Sequence, residues 1–486
     1  AEARPGDETR EMVCQGRRGA WGVFLSHRAR IMPEDTSKPR TDPMNLAHTF
    51  RASLLAAALG ALTVPAAAAD LSLVPEDAVA PAVRTQIEQV MPKVVAWRRD
   101  LHAHPELGNR EFRTSALIAE HLRALGMEVE TEVAVTGVVG VLRGALPGPV
   151  VALRADMDGL PVTEVVDLPF ASKVRTDYNG QEVGVMHACG HDNHMAILMG
   201  AAEVLAGMKD QLAGTVKFIF QPAEEGVPPG EEGGAELMLK EGVFNAPTPE
   251  AVFGLHVFPM PVGTVATRAG GLMASSDSYE ILVQGKQTHG AMPWGGVDPI
   301  VVASQIVMGL QTIPSRQLDA TLTPSIVTVG AIHGGLRSNI IPDQVEMIGT
   351  LRTFDAATRT DIHDRLTRTA QSIAESAGAT AEVKINLGYP VTRNDNDLTA
   401  KMMPTLARVA GSRYFESPRN TGAEDFSYFA EAVPGMFFFL GVAPEDPALV
   451  APNHSPKFYA DERALPVGVT AMTALVLDYL EAARAP

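Results

Sequence analysis

Apolar residues along the chain fall into two spacings, and their alternation predicts the architecture. Continuous apolar runs of strand length occur in PVVALRAD (149–156), TVKFIFQ (215–221), AVFGLHVFPMP (251–261) and GMFFFLGV (435–442). Such runs suit strands buried on both faces. Between them lie helical patterns, EFRTSALIAEHLRALG (111–126) and HMAILMGAAEVLAGMKD (194–210). In the second, Ile197, Leu198, Ala201, Leu205 and Met208 share one helical face, which leaves Cys189 and His191 in the loop feeding its N-terminus. Strands alternating with helices predict an α/β sheet covered by helices.

From about 275 to 390 the pattern changes. SYEILVQG (278–285) alternates as a strand and PIVVASQIVMGLQTI (299–313) is helical. LTPSIVTVGAI (322–332) and QVEMIGTLRTF (344–354) are strands, TRTDIHDRLTRTAQSIAESAG (358–378) is helical, and TAEVKINLG (380–388) is a strand. The order β-α-β-β-α-β predicts a compact ferredoxin-like insert over 275–390, with 70–274 and 391–486 closing on each other as one domain.

Residues 1–69 stand apart from this organisation. MNLAHTFRASLLAAALGALTVPAAAAD (44–70) has a short n-region with His48 and Arg51, an apolar run over 52–64, and Ala67 and Ala69 placed as an A-x-A cleavage site. The run is shorter than the ~18 to 20 residues that span a bilayer. It reads as a secretory signal peptide cleaved near Ala69, which makes the mature protein periplasmic or secreted; residues 1–43 precede a plausible start methionine and are set outside the fold. Composition adds two limits. With 486 residues, 46% hydrophobic and 20% charged, the chain expects two or three globular domains. A formal charge of -17 with no run of Lys and Arg argues against nucleic acid or an anionic membrane surface as a partner.

Setting the leader aside sharpens the candidate chemistry. Of two cysteines, Cys14 falls in the discarded segment, so Cys189 is alone in the mature chain, inside HACGHDNH (187–194). An unpaired thiol in an oxidising compartment is a liability unless it is buried or occupied, and a metal occupies a thiolate among His187, His191 and His194 most economically. Further donors stand at strand ends and loop mouths: Glu224 and Glu225 after TVKFIFQPA, His256 within an apolar run, and His454 in APNHSPKFYAD. One Cys, three His and two adjacent Glu in such places point to a metal, and mixed S, N and O ligation suits zinc, manganese, cobalt or nickel. His102 and His104 in LHAH also stand at ligand spacing, with a helix-end pair as the other reading.

Nine motifs in order, RRDLHAHPELGNREF, LRADMDGLP, HACGHDNH, QPAEEG, GLHVFP, THGAMPWGGVDPI, SNIIPD, GAEDFSYF and NHSPKF, cover roughly residues 85–480. Together they resemble the hippurate hydrolase, N-acyl-amino-acid amidohydrolase and auxin-conjugate hydrolase branch of the dinuclear metallo-aminoacylase and carboxypeptidase family. The resemblance implies a zinc-peptidase-like catalytic domain, helices on both faces of a mixed sheet, carrying the insert as a lid or dimerisation domain. It implies two divalent metal ions, zinc or manganese before cobalt or nickel, held by Cys189, His191, Glu225, His256 and His454, with Glu224 as catalytic acid/base. The wider family has a histidine where this chain has Asp156, a substitution typical of the branch, and Asp158 is expected behind the ligands.

The implied reaction is hydrolysis of an N-acyl-amino acid to a carboxylic acid and an amino acid. His289 is expected over the site, often from a neighbouring subunit, and Asn339 and Arg352 are the expected clamp for the substrate carboxylate, by directed amide and bidentate fork. The alternatives are a dipeptidase or carboxypeptidase of the same fold and, in another class, a non-catalytic protein that binds a small ligand. The edge strands of the insert favour a homodimer formed lid to lid.

Overall fold

The computed structural model describes residues 71–483, so the expected leader lies outside the described residues. The larger sheet has eight strands, in the spatial order Glu128–Val133, Gly137–Arg143, Ala213–Gln221, Leu146–Asp156, Ala251–Pro261, Gly435–Ala443, Val265–Thr267 and Tyr414–Glu416. Its four central strands, from Ala213–Gln221 to Gly435–Ala443, run parallel, and antiparallel pairs join them on both flanks. The mixed, helix-covered sheet expected from the sequence is therefore present.

Side chains along the central strands alternate between two cores. Leu153, Phe218, Phe220, Phe253 and Phe438 pack with the helices Pro81–Ala103, Phe112–Ala124, His191–Gly207, Asn396–Ala410 and Leu465–Ala482. Ala152, Ile219, Val252, Phe437 and Phe439 face the short helices Gly234–Lys240 and Phe426–Ala432. This is the period of two of a strand with both faces covered, and it explains why the sequence reads there as unbroken apolar runs.

The His191–Gly207 helix differs from expectation: residues 191–202 are buried on every side, not along one stripe. It lies between Pro81–Ala103, Leu465–Ala482 and the sheet. The crossing with Pro81–Ala103 is close enough that a Cβ on Gly200 would meet Val94 Cγ2 at 2.6 Å. A helix surrounded by protein has no polar face to show. The same holds for the segment Glu462–Ala482, long and apolar enough by composition to cross a membrane yet 83% buried in this core.

A separate four-stranded antiparallel sheet has the order Ser325–His333, Gln344–Thr353, Asp277–Gln284, Thr380–Asn386. With the helices Pro299–Leu310 and Ala356–Ser376 it encloses its own core around Ile281, Ile306, Met347 and Leu366. The chain enters and leaves this unit on neighbouring segments. Asp277 ties them, accepting from Arg359 Nη2 (2.6 Å) and from the amide of Gly388 (3.0 Å).

Candidate active site

The parallel strands deliver their carboxyl ends to one mouth, where open α/β sheets place their chemistry. Asp156 ends one strand, Gln221 ends the next and leads into Glu224 and Glu225, and His256 lies within a third. The loop after Gly435–Ala443 returns His454, whose amide donates to the carbonyl of Ala188 (2.8 Å). Gly190 separates Cys189 from His191 at φ 95°, and a Cβ there would lie 2.3 Å from Val257 Cγ2. Only glycine lets the chain turn so sharply against the strand. Because Gly190 caps the helix directly, His191 is its first residue and does not sit in the preceding loop as expected. Ala223 (φ 51°) and His454 (φ 67°) also occupy the left-handed region without being glycine. Such strain concentrates where the surroundings over-determine a functional geometry.

These turns bring the donors together. Cys189 Sγ lies 3.2 Å from His256 Nε2 and 3.2 Å from His454 Nε2. His454 Nε2 is 3.0 Å from Glu225 Oε1. Cys189 is common to two potential ligand sets, one with His191 and His256, the other with Glu225 and His454. His191 Nε2 is buried without a hydrogen-bond partner, while oxygens of Asp156, Glu224 and Glu225 stand 3.8, 3.9 and 4.0 Å away. Those gaps are too long for hydrogen bonds, and the one to Glu225 suits two donors that share a cation at ~2.0–2.3 Å bonds. Burial, then Glu225 and Glu224, push the Cys189 thiol up. A thiolate in that setting needs positive charge beside it. Burial alone opposes a charged His191, yet Asp156 and Asp158 outweigh it and raise its pKa to about 10. The surplus of negative charge is what a divalent pair neutralises, and the donor set fits one.

The surroundings sort the histidines. His256 Nδ1 donates to the carbonyl of Val257 (2.8 Å), which turns the Nε2 lone pair toward Cys189, and burial holds its pKa well down. His194 is committed elsewhere: its Nδ1 faces Asp156 Oδ1 (2.5 Å) and its Nε2 accepts from the amide of Val257 (2.8 Å). His187 is buried and pushed down to about 3 by that burial. His104 is exposed, while His102 bridges Asp192 (2.9 Å) and Glu164 (3.2 Å), pinning the residue beside His191 without approaching the cluster. Asp158 accepts from the amides of Glu224 (3.1 Å) and Glu225 (3.0 Å) and stands 3.2 Å from His191 Nδ1, so one carboxylate orients three residues of the site.

Sequence reasoning missed what lies behind Glu224. Arg154, fully buried, donates to Asp156 Oδ2 (2.7 Å), Gln221 Oε1 (2.7 Å), Glu424 Oε1 (2.8 Å) and Asp425 Oδ1 (2.8 Å). Asp156 is thereby spoken for on both oxygens, by Arg154 and His194. Glu224, Glu424 and Asp425 crowd together, and burial followed by Glu424, Glu225 and Asp425 pushes the Glu224 carboxyl well up. Tyr389, beside the exit from the smaller sheet, donates to the backbone carbonyl of Glu224 (2.6 Å). One signal for this web was available, an arginine inside the apolar run Val151–Ala155 written as VALRA, since a charge in a buried strand requires a partner.

The remaining sequence candidates fall elsewhere. His289 is exposed, in a short ladder with Ile340, and Asn339 is its neighbour through the amide of Gly290 (2.8 Å to the Asn339 carbonyl). Arg352 is half-buried and reaches only the carbonyl of Ser275 (3.4 Å). Among the described residues, none of the three shares a hydrogen bond or ion pair with the Cys189 cluster.

A cup of thiol, imidazole and carboxylate donors at the carboxyl end of a parallel sheet, with a buried carboxylate beside it, is the arrangement of a metal-dependent hydrolase. The chain belongs to peptidase family M20/M25/M40, whose model matches residues 152–478. It is 42% identical over 400 residues to thermostable carboxypeptidase 2 of Saccharolobus solfataricus, covering 82% of this chain and 98% of that protein. To N-acetylcysteine deacetylase of Bacillus subtilis it is 38% identical over 391 residues, covering 80% and 97%. Among solved structures, Bacillus subtilis YXEP, described as a dinuclear metal binding peptidase from the M20 family, superposes with a TM-score of 0.67 at 36% identity, covering 81% of this chain and 99% of that one.

Proposed function

We propose that this protein is a metal-dependent amidohydrolase that cleaves N-acyl-amino acids to a carboxylic acid and a free amino acid. The observation that carries the reading is the carboxylate of Glu224: it is buried beside the candidate ligands, yet among the described residues no donor hydrogen-bonds to its side chain. A protein that only binds a ligand has no use for a buried carboxyl group left without a hydrogen-bond donor; a hydrolase uses one to take and return a proton.

Cys189, His191, Glu225, His256 and His454 are assigned to two divalent ions, with Asp158 holding His191 and the Glu224–Glu225 backbone behind them. Bound there, the ions supply Lewis acidity toward the amide carbonyl and make water more acidic. Glu224 accepts the proton of the attacking water and returns it to the amide nitrogen as the C–N bond breaks, so the amino acid leaves as a neutral amine. Glu225, assigned with Cys189 and His454 to the ions, is used as a ligand and does not share this role. Asn339 and Arg352 hold the substrate carboxylate, and among the described residues Arg352 makes no ion pair, its guanidinium reaching the carbonyl of Ser275.

Relatives support this chemistry while leaving the acyl group open. They include the deacetylase above and an Arabidopsis thaliana protein named IAA-amino acid hydrolase ILR1-like 2, 38% identical over 398 residues. The carboxypeptidase relatives favour the second reading, a dipeptidase or carboxypeptidase, which differs only in what replaces the acyl group. Metal analysis of the purified protein and a screen of N-acetyl, N-benzoyl and indole-acetyl amino acids beside dipeptides test both. Release of amine from none of them, with two metals bound, returns the non-catalytic binding protein to first place. Cys189→Ser is expected to lose metal and activity together while circular dichroism stays native, because a hydroxyl at neutral pH is a far poorer ligand. Two metals and full activity in that variant overturn the cysteine's assignment.

We further assign 275–390 as a lid and dimerisation domain between catalytic segments 70–274 and 391–486. Two copies pair through the edge strand Ser325–His333 and the neighbouring helix, where Ile326, Ile332, Val301 and Met308 are exposed. His289 of one chain then serves the site of the other, stabilising the developing oxyanion. Refolding Glu224→Gln and His289→Ala chains together restores about a quarter of the sites if pairing is random. No recovery despite proven subunit exchange rules the shared site out. Export with cleavage near Ala69 predicts a mature protein whose first residue on N-terminal sequencing is Asp70.

A further inference from the structure

Among the described residues no donor hydrogen-bonds to the side chain of Glu224, so its aim is set by the backbone turn that carries it. We infer that Tyr389 is a positioning residue for that turn: its hydroxyl grips the Glu224 carbonyl from the point where the smaller sheet unit joins the larger sheet, and so fixes where the catalytic carboxylate points. The inference rests on the amidohydrolase reading above, with Glu224 as acid/base, and adds a residue to its machinery.

The turn cannot hold itself. Pro222 has no amide hydrogen to give, and Ala223 sits at φ 51°, a conformation that a residue with a Cβ keeps only when its surroundings impose it. Two carboxylates of the larger unit impose part of it: Glu111 accepts from the amide of Ala223 (2.9 Å), and Asp158 from those of Glu224 (3.1 Å) and Glu225 (3.0 Å). Both restrain amides. The carbonyl of Glu224 is restrained by Tyr389 (2.6 Å). The planar peptide unit that joins the assigned base to the assigned ligand is therefore gripped at both ends, its N–H by Asp158 and its oxygen by Tyr389. With one grip gone it can turn about the other, and the Glu224 side chain turns with it.

Tyr389 is itself anchored. Its amide donates to Ser276 Oγ (3.0 Å) and its carbonyl accepts from the amide of Ser276 (3.0 Å), so the segment leaving the smaller unit is tied to the segment entering it. The neighbouring Gly388 is held at its amide by Asp277 Oδ1 (3.0 Å) and at its carbonyl by Arg359 Nη2 (2.9 Å). Arg352, assigned above to the substrate carboxylate, reaches the carbonyl of Ser275, one residue from Ser276. The group that takes the substrate carboxylate and the hydroxyl that aims the base are thus built on the same crossing of the chain. Burial, then Asp425 and Glu224, push the Tyr389 hydroxyl up, so it stays protonated and remains a donor.

The test uses the metal-loaded protein and whichever N-acyl-amino acid or dipeptide of the screen above it cleaves fastest. Tyr389→Phe removes the hydroxyl and keeps the ring. It is expected to lower kcat by ~10-fold or more while KM stays within ~2-fold, because a misaimed base slows the chemical step and an error of ~1 Å in placement is enough. Metal content and circular dichroism should be those of the unaltered protein. In a Glu224→Gln background the same substitution should cost less than ~2-fold, since no base is left to aim. A hydroxyl that served only the fold would cost the same factor in both backgrounds. An unchanged kcat in Tyr389→Phe, an equal loss in both backgrounds, or metal lost together with activity each overturn the assignment. If the unaltered protein cleaves N-acyl-amino acids in those cases, the amidohydrolase reading stands without it. Cleavage of dipeptides alone removes that reading and leaves Tyr389 to the same comparison; cleavage of neither class removes both.

Discussion

Replacing Glu224 with glutamine is expected to lower kcat by at least ~10², about 2.7 kcal/mol of barrier, with metal content unchanged. The amide keeps the shape of the side chain but cannot accept a proton. The backbone that aims it is untouched, because Asp158 holds the Glu224 amide and Tyr389 holds its carbonyl whichever side chain is present. A fall in kcat therefore reports lost chemistry. Glu225→Gln provides the contrast: its carboxylate is 3.0 Å from His454 Nε2 and belongs to a ligand set with Cys189, so metal occupancy should fall with activity. Metal analysis and steady-state kinetics on both variants decide the matter. Metal loss in Glu224→Gln with full occupancy in Glu225→Gln reverses the assignment of the pair.

Arg154→Met is expected to destabilise the protein by ~3–5 kcal/mol, read as a shift in the denaturant midpoint at constant m-value. Arg154 is the cation that Asp156, Glu424 and Asp425 share, at 2.7, 2.8 and 2.8 Å, and all of them are buried. Removing it leaves three carboxylates without their counter-charge in a water-poor interior, the costly way to break a buried ion cluster. Even partnered, Glu424 and Asp425 are pushed up, to about 8 and about 6, with burial the leading cause. Arg154→Lys should recover only part of the loss, since an ammonium cannot span four acceptors as a planar guanidinium does. A midpoint shift equivalent to less than ~1 kcal/mol in Arg154→Met would show that the carboxylates find protons or water at little cost.

The chemistry of rare residue types made the site legible in the sequence. A lone cysteine among histidines, a histidine inside an apolar strand and a glutamate pair at a strand end are each costly or unusual unless something uses them, and the fold gathers Cys189, His191, Glu224, Glu225, His256 and His454 at one mouth. Periodicity likewise determined the elements, because continuous and alternating patterns follow directly from whether one face or both meet the core. Periodicity could not tell a surface helix from a central one: His191–Gly207 is enclosed by neighbours whose positions no local pattern encodes.

Other features were decided only in three dimensions. His191 and His194 are the same residue type three positions apart. What separates an open nitrogen from one already committed is that His194 meets Asp156 and the Val257 amide, 38 and 63 residues away. Arg154 announces a need for partners but not their identity, and it finds Glu424 and Asp425 across 270 and 271 residues. A cavity beside Glu225 is assembled from loops more than a hundred residues apart, each unremarkable alone. Residue type and spacing settle which chemistry a chain can offer. Which atoms are left free to perform it depends on long-range pairing, since every polar group buried by folding takes whichever partner the tertiary structure puts within reach.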